Sequence, residues 1–264
     1  MRSLLGDTHA NLEKMTGFVD LAAEEGADIV CFPEMSLTGY SSEHGPGDVI
    51  GEDDPAVVTI GDLARDKGLV IVFGFMEENG GGLPYLTQMI ASPDGTSMSY
   101  RKTHLGSRED GRFASGDALD VFKTDKAVLG LALCWEAHLP EVFTALREQG
   151  AELILVPHAS NLGGMRRKEA WMRYLPARAW DNDAYIAACN AVGDNAKGSV
   201  FGGGSIVLDR KGGIISEDFD GTESMVVIGL DGFDRDDGPD DDMRDIRFFR
   251  RRRPELYRRT HGSG

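Results

Sequence analysis

Helical and strand-like segments alternate along most of this chain, and that alternation restricts it more than any other feature to a layered α/β fold. ANLEKMTGFVDLAAEEGA sets Leu12, Met15, Phe18, Val19 and Ala22 at helical spacing and stops at Gly26, after which ADIVCFPE reads as a buried strand. DPAVVTIGDLARDKG with LVIVFGFME repeats the unit, and PEVFTALREQG with AELILVP repeats it again. YLTQMIAS and TSMSYRK flank Pro93, Asp94 and Gly95, whose turn chemistry predicts a β-hairpin. GGSIVLD, RKGG and IISED predict a second hairpin, and SMVVIGLD reads as a late strand. Helix–strand units combined with hairpins imply mixed sheets covered by helices. With no linker and no tandem repeat, residues 1–264 read as one domain, carrying an acidic loop and an Arg-rich C-terminal tail from about 231.

The start departs from this pattern. MRSLLGDTHANLEKM runs almost directly into the first helix, where an α/β chain ordinarily opens with a strand. The expectation is that the first strand is missing: either Met1 is an internal methionine of a longer natural protein, or that strand has been lost. Sequencing the N-terminus of protein made from its native locus tests this.

Charge and cysteine content remove several classes of function. The formal net charge of −16 gives a field that repels polyanions, so nucleic acid is not an expected partner. FFRRRRPELYRR then reads as an arginine-rich segment pairing with the protein's own carboxylates. No apolar run reaches the roughly 20 residues of a membrane span, and no signal-peptide pattern opens the chain, so a cytoplasmic protein without a membrane partner is expected. The three cysteines, Cys31, Cys134 and Cys189, show no CxxC spacing, and the six histidines show no HExxH. Neither a disulfide framework nor a metal site is suggested. Cys31 and Cys189 lie inside apolar runs, where a thiol serves as a small buried hydrophobe.

Cys134 differs because it ends its run. Ligand sites of open α/β sheets gather at the carboxyl ends of strands, and three reactive side chains stand there: Glu34 ends IVCFPE, Lys102 ends SMSYRK and Cys134 ends VLGLALC. A thiol with its ordinary pKa of about 8.5 needs a base or a cation to become a nucleophile at neutral pH. Glu34 can be the base. Lys102 can supply the cation and, with the Trp135 backbone N–H, hold an oxyanion. Each residue alone also fits an ordinary structural role, as a loop cap, a solvated lysine and a core thiol.

FPEMSLTGY, YRKTHL and LALCWEAHLPE, in this order and separation, resemble the three signature segments of the nitrilase superfamily of carbon–nitrogen hydrolases. The resemblance assigns that family's Glu, Lys and Cys triad to Glu34, Lys102 and Cys134. It also places Glu109, in REDGRFASGD, where many members have a second glutamate near the lysine. ARAWDNDAYIAACNAVG, FGGGSIVLDRKGG and RRRPELY extend the match over essentially the whole chain except the missing first strand. The resemblance implies a four-layer αββα sandwich with two mixed β-sheets, a homodimer or higher homo-oligomer, and thioester chemistry without metal or organic cofactor.

Two patterns mix after the nucleophile: CWE resembles true nitrilases, whereas Pro140 and Glu141 resemble amidases and carbamoylases. The longer C-terminal region usual in nitrilases is lacking, which favours a small-molecule amide or N-carbamoyl amine as substrate. Nitrile hydrolysis and a catalytically silent binding or scaffold protein are the alternatives, and the intact triad argues against silence. Tyr40, Trp135 and His158 are the candidate pocket-wall residues, each on or just after a strand-end loop. Arg166 and Arg167 read first as a solvated helix start and second as a bidentate carboxylate clamp. Gly202 to Gly204 read as tight strand packing, since no Walker lysine accompanies them.

Overall fold

The computed structural model describes residues 1–230 and 252–257. The acidic loop and most of the arginine-rich run expected from about 231 lie outside the described residues. No strand forms in residues 1–7. Instead Asp7 caps helix α1 (Thr8–Glu24) by accepting from the Ala10 N–H, and Met15, Val19 and Ala22 face inward at the expected spacing. Strand β1 (Ile29–Cys31) follows. Helix α2 (Pro55–Lys67) begins with proline behind an Asp54 cap and ends on left-handed Gly68, and β2 (Val70–Glu77) is buried along its whole length. The predicted hairpin is β3 (Tyr85–Ala91) and β4 (Ser97–Arg101), with Asp94 accepting from the Thr96 N–H in the turn.

The second half opens with β5 (Phe122–Lys123) and β6 (Val128–Leu131), followed by α3 (Pro140–Glu148) and β7 (Leu153–His158). Helices α4 (Gly164–Met172) and α5 (Leu175–Asn182) lead into β8 (Tyr185–Asn190). A small ribbon, β9 (Val192–Asp194) with β10 (Val200–Gly202), precedes the second predicted hairpin, β11 (Ser205–Leu208) with β12 (Ile214–Asp218). A short helix, α6 (Pro254–Tyr257), lies in the C-terminal described segment.

Two mixed sheets result. One has the order β1-β2-β3-β4, with β1 and β2 parallel; the other has the order β12-β11-β8-β7-β6-β5, with β6, β7 and β8 parallel. They face each other through Val70, Val72 and Ile90 on one side and Leu129, Leu131, Leu153 and Leu155 on the other. Each fully buried aliphatic side chain there contributes roughly 1.5–3 kcal/mol of transfer free energy. Helices α1 and α2 cover the outer face of the first sheet, and α3, α4 and α5 cover that of the second. The architecture is the αββα sandwich.

Two sequence expectations are corrected. Of SMVVIGLD, expected as a strand, the described residues 224–230 form no ladder: they line a cleft of about 650 Å³ that also runs past Met1, Val30, Cys31, Leu155 and Cys189. A strand requires a hydrogen-bonding neighbour, and no ladder pairs this segment with another strand among the described residues. Cys31 and Cys189 are partly exposed rather than fully buried, with the Cys189 thiol 3.8 Å from the Cys31 carbonyl oxygen. Gly202 and Gly163 pack backbone to backbone, leaving no room for a Cβ on either, which is the close packing expected of that glycine run.

Candidate active site

Glu34 leaves β1 while the backbone still bonds to β2 through Phe32 N–H and Val72 O. The loop after it turns sharply, with Met35 at φ +54°, and lies directly against Gly74 of β2, where a Cβ would overlap the Met35 backbone nitrogen. Lys102 follows β4, its N–H held by Leu86 O. Cys134 comes two residues beyond Ala132, whose N–H still bonds to Leu155 O, and opens a 3-10 turn over Cys134–His138. Its φ of +44° is unusual for a residue with a side chain, and such conformations cost of order 1–3 kcal/mol. A turn that starts there leaves its first N–H groups, Cys134 and Trp135, without acceptors inside the turn.

The charged groups converge. Lys102 Nζ donates to Glu34 Oε1 and to Glu109 Oε1, both at 2.8 Å, and all three side chains are buried. Glu34 Oε2 accepts from the Ala159 N–H at 3.0 Å, so this carboxylate is fixed at both oxygens. Glu109 Oε2 accepts from the Gly106 N–H at 2.6 Å, and its Oε1 also accepts from the Tyr40 hydroxyl at 3.0 Å. These contacts order a buried ammonium between two carboxylates.

Electrostatics set the protonation states. Burial raises the Glu34 carboxyl above its usual range, opposed by Lys102 and reinforced by Glu109. Burial alone would lower the Lys102 ammonium, but Glu34, Cys134 and Glu109 outweigh it and hold the lysine well above its ordinary value. The Cys134 thiol is pushed up to about 12, first by burial and then by Glu34, against the opposing pull of Lys102. The resting thiol is therefore neutral at pH 7. Passing its proton to Glu34 leaves the net charge of the cluster unchanged, which is how a buried site can form a thiolate without gaining charge.

Of the pocket-wall candidates, Tyr40 lies within the cluster through Glu109, and its hydroxyl is held protonated by burial and by that carboxylate. Trp135 is 48% exposed, its ring 5.2 Å from His138, which in turn lies 4.5 Å from Tyr174. His158 is different. Its Nδ1–H donates to Val156 O at 2.9 Å and its Nε2 accepts from Trp171 Nε1–H at 3.1 Å, so both ring nitrogens are occupied and the residue braces the strand end from behind. Burial holds it neutral.

Arg166 and Arg167 also separate. Arg167 is only 5% exposed, a correction to its reading as a solvated helix start. It donates to Ser160 Oγ and, at 3.3 Å, to Leu162 O, and stacks on Trp171. It forms no ion pair with a carboxylate among the described residues, and the Cys134 thiol and Tyr174 lie within its electrostatic reach. His138 and Tyr174 were not singled out from the sequence, and Glu136 was noted there only as part of the CWE pattern. Among the described residues no cluster of histidine, cysteine and carboxylate groups is arranged to hold a metal ion.

The carbon–nitrogen hydrolase family profile matches residues 1–232. An (R)-stereoselective amidase from Pseudomonas sp is 29% identical over 86% of this chain and 81% of its own length. N-carbamoylputrescine amidase from Solanum tuberosum is 28% identical over 96% of this chain and 90% of its own. The solved structure of the amidase of Nesterenkonia sp. AN1 superposes with a TM-score of 0.82 at 27% identity, covering 98% of this chain and 96% of that one. A variant of that amidase carries the acetamide moiety of fluoroacetamide covalently on its active-site cysteine; it matches with a TM-score of 0.82 at 26% identity, covering 99% of this chain and 94% of that one.

Proposed function

The chain belongs to the carbon–nitrogen hydrolase family, and on that basis we propose that it hydrolyses a small-molecule amide or N-carbamoyl amine through a thioester on Cys134. The observation that carries the assignment is the buried Glu34–Lys102–Glu109 network within electrostatic reach of a strand-end thiol. Glu34 takes the thiol proton as sulfur attacks the carbonyl carbon. Lys102 Nζ and the Trp135 N–H stabilise the oxyanion, and Glu34 returns the proton to the leaving nitrogen as the C–N bond breaks. Ammonia departs from a primary amide. Glu34 then takes a proton from water, whose oxygen attacks the thioester carbon, and hands it back to the departing sulfur. No step requires a metal or an organic cofactor.

Glu109 and Tyr40 hold the lysine rather than touch the substrate, while Trp135, His138 and Tyr174 line its approach. Arg167 supplies a buried cation that favours an acyl group with a carboxylate at its far end. Nitrile hydrolysis with the same groups is the second reading, favoured by the Trp135–Glu136 pair directly after the nucleophile. We further propose that residues 1–264 act as one catalytic domain, in a cytoplasmic homodimer or higher oligomer; light scattering of the purified chain measures its size. No helix among the described residues is long and apolar enough to cross a membrane.

The deciding experiment is ammonia release from primary amides, N-carbamoyl amines and aliphatic nitriles, with Cys134→Ala in parallel. Cysteine-dependent release from the first two classes supports the proposal, and release from nitriles alone replaces it with the second reading.

A further inference from the structure

Glu136 is fully buried, two residues beyond the nucleophile, and touches none of Glu34, Lys102, Glu109 or the Cys134 thiol in the hydrogen-bond network. Its carboxylate nevertheless accepts five hydrogen bonds. Oε2 receives the Leu133 N–H at 2.7 Å and the Tyr100 hydroxyl at 2.9 Å. Oε1 receives the Thr103 N–H at 2.8 Å, the Thr103 hydroxyl at 2.6 Å and the His104 N–H at 3.1 Å. Leu133 directly precedes Cys134, while Tyr100, Thr103 and His104 flank Lys102 on both sides.

These two segments belong to different sheets. Lys102 follows β4 of the four-stranded sheet and Cys134 follows β6 of the six-stranded sheet, so no strand ladder fixes the distance between them. Glu34 ties the lysine to the six-stranded sheet at Ala159, but it does not reach the nucleophile turn; Glu136 does, through backbone N–H groups on both segments, which cannot rotate away. The oxyanion needs Lys102 Nζ and the Trp135 N–H to converge on one point, and each group comes from one of the two segments.

We propose that Glu136 is a positioning residue that clamps the nucleophile turn to the lysine segment and so sets the geometry of the oxyanion site. It acts through its neighbours and does not touch substrate. Its charge is part of the device: every one of its partners donates, and a neutral amide of the same shape presents one acceptor oxygen and one NH2 group. In Glu136→Gln the NH2 therefore faces either the Leu133 N–H with the Tyr100 hydroxyl, or the Thr103 and His104 N–H groups.

This inference rests on the hydrolase reading above, and the test separates the two. Glu136→Gln is assayed for kcat per active site, KM, thermal midpoint, and the rate of Cys134 alkylation by iodoacetamide. Displacement of reacting groups by about 1 Å costs on the order of 100-fold, so kcat per site should fall by about 30- to 300-fold with KM within about 3-fold of wild type. Alkylation of Cys134 should slow by about 10-fold, because the thiol and its base no longer meet in the same geometry. A residue that served only to hold the fold would lower the midpoint and the fraction of active protein, but leave kcat per site unchanged. That result overturns the proposal.

Should Glu136→Gln not fold, Thr103→Val removes a single donor and keeps the carboxylate, and should lower kcat per site by about 3- to 10-fold. An unchanged kcat in a folded Thr103→Val would then count against the clamp. If wild-type protein releases no ammonia from any substrate, the hydrolase reading fails, and the alkylation rates alone decide on Glu136: equal rates in wild type and variant refute it.

Discussion

The same two sheets build two very different spaces. At the strand ends around Cys134, Glu34, Lys102, Glu109 and Glu136 are all buried, and each has at least two named hydrogen-bond partners. Beside β1, a cleft of about 650 Å³ is bordered by Cys31, Cys189 and residues 225–230. Both places hold thiols with raised pKa values: Cys31 first by its contact with Cys189 and then by burial, Cys134 first by burial. What separates them is company. Cys31 faces another thiol, whereas Cys134 faces a carboxylate that can accept its proton and an ammonium that can offset its charge. On the proposed mechanism, reactivity follows from the neighbours of a cysteine, since all three thiols are partly exposed.

The largest effect expected from this contrast comes from exchanging thiols for methyl groups. Cys134→Ala should cut turnover by about 10⁴-fold or more, whereas Cys31→Ala and Cys189→Ala should each stay within about 2-fold of wild type in ammonia release. A large loss in either cleft variant would break the contrast.

Next comes the base. Glu34→Gln should lower kcat by about 10²- to 10⁴-fold, the usual range for a general acid–base group. Because burial raises the Glu34 pKa, the acid limb of the wild-type kcat/KM profile should lie above the ordinary glutamate value of about 4.3. Activity falls as pH drops through that limb, since protonated Glu34 cannot take the thiol proton. An acid limb at or below the ordinary value would show that another group limits the rate.

A smaller, selective effect is expected at Arg167. Arg167→Lys should raise KM about 10-fold for amides that carry a distal carboxylate and change it less than about 3-fold for neutral ones, because a lysine head cannot keep the Ser160 and Leu162 contacts and still meet the carboxylate. Equal effects on both substrate sets would make the arginine a packing residue. Tyr40→Phe should have the least effect, lowering kcat by about 3- to 10-fold through loss of one hydrogen bond to Glu109. Steady-state kinetics on one primary amide measure it.

The legible parts of the sequence were those with local causes. Helix spacing at Met15, Val19 and Ala22, the Asp54–Pro55 start of α2 and the Pro93–Asp94–Gly95 turn each act within a few residues, and each element formed where they indicate. Glu34, Lys102 and Cys134 drew attention because each stands at the end of a strand-like segment within a family-like signature, and the structure brings Glu34 and Lys102 into contact, with Cys134 within their electrostatic reach. Features decided by distant partners stayed hidden. Residues 225–230 have strand composition but lack a bonded neighbour, and the charge of Arg167 gives no sign that Trp171 covers it. His158 looked free to meet a ligand until Val156 and Trp171 took both its nitrogens. Glu136 was legible only as part of the CWE pattern, and its role between the two segments was not, because four of its five hydrogen bonds come from Tyr100, Thr103 and His104, more than thirty positions earlier.

Because Glu34 and Lys102 extend from one sheet and Cys134 from the other, turnover gauges how the two layers sit on each other. A slip of one layer over its neighbour by a fraction of a side chain would leave every strand, helix and spectroscopic signature of folding in place, yet strain the Glu34–Ala159 contact and draw the proposed base from the proposed nucleophile. On heating, this protein should therefore stop working before it melts, and the interval between those two temperatures measures the stiffness of the interface between its sheets.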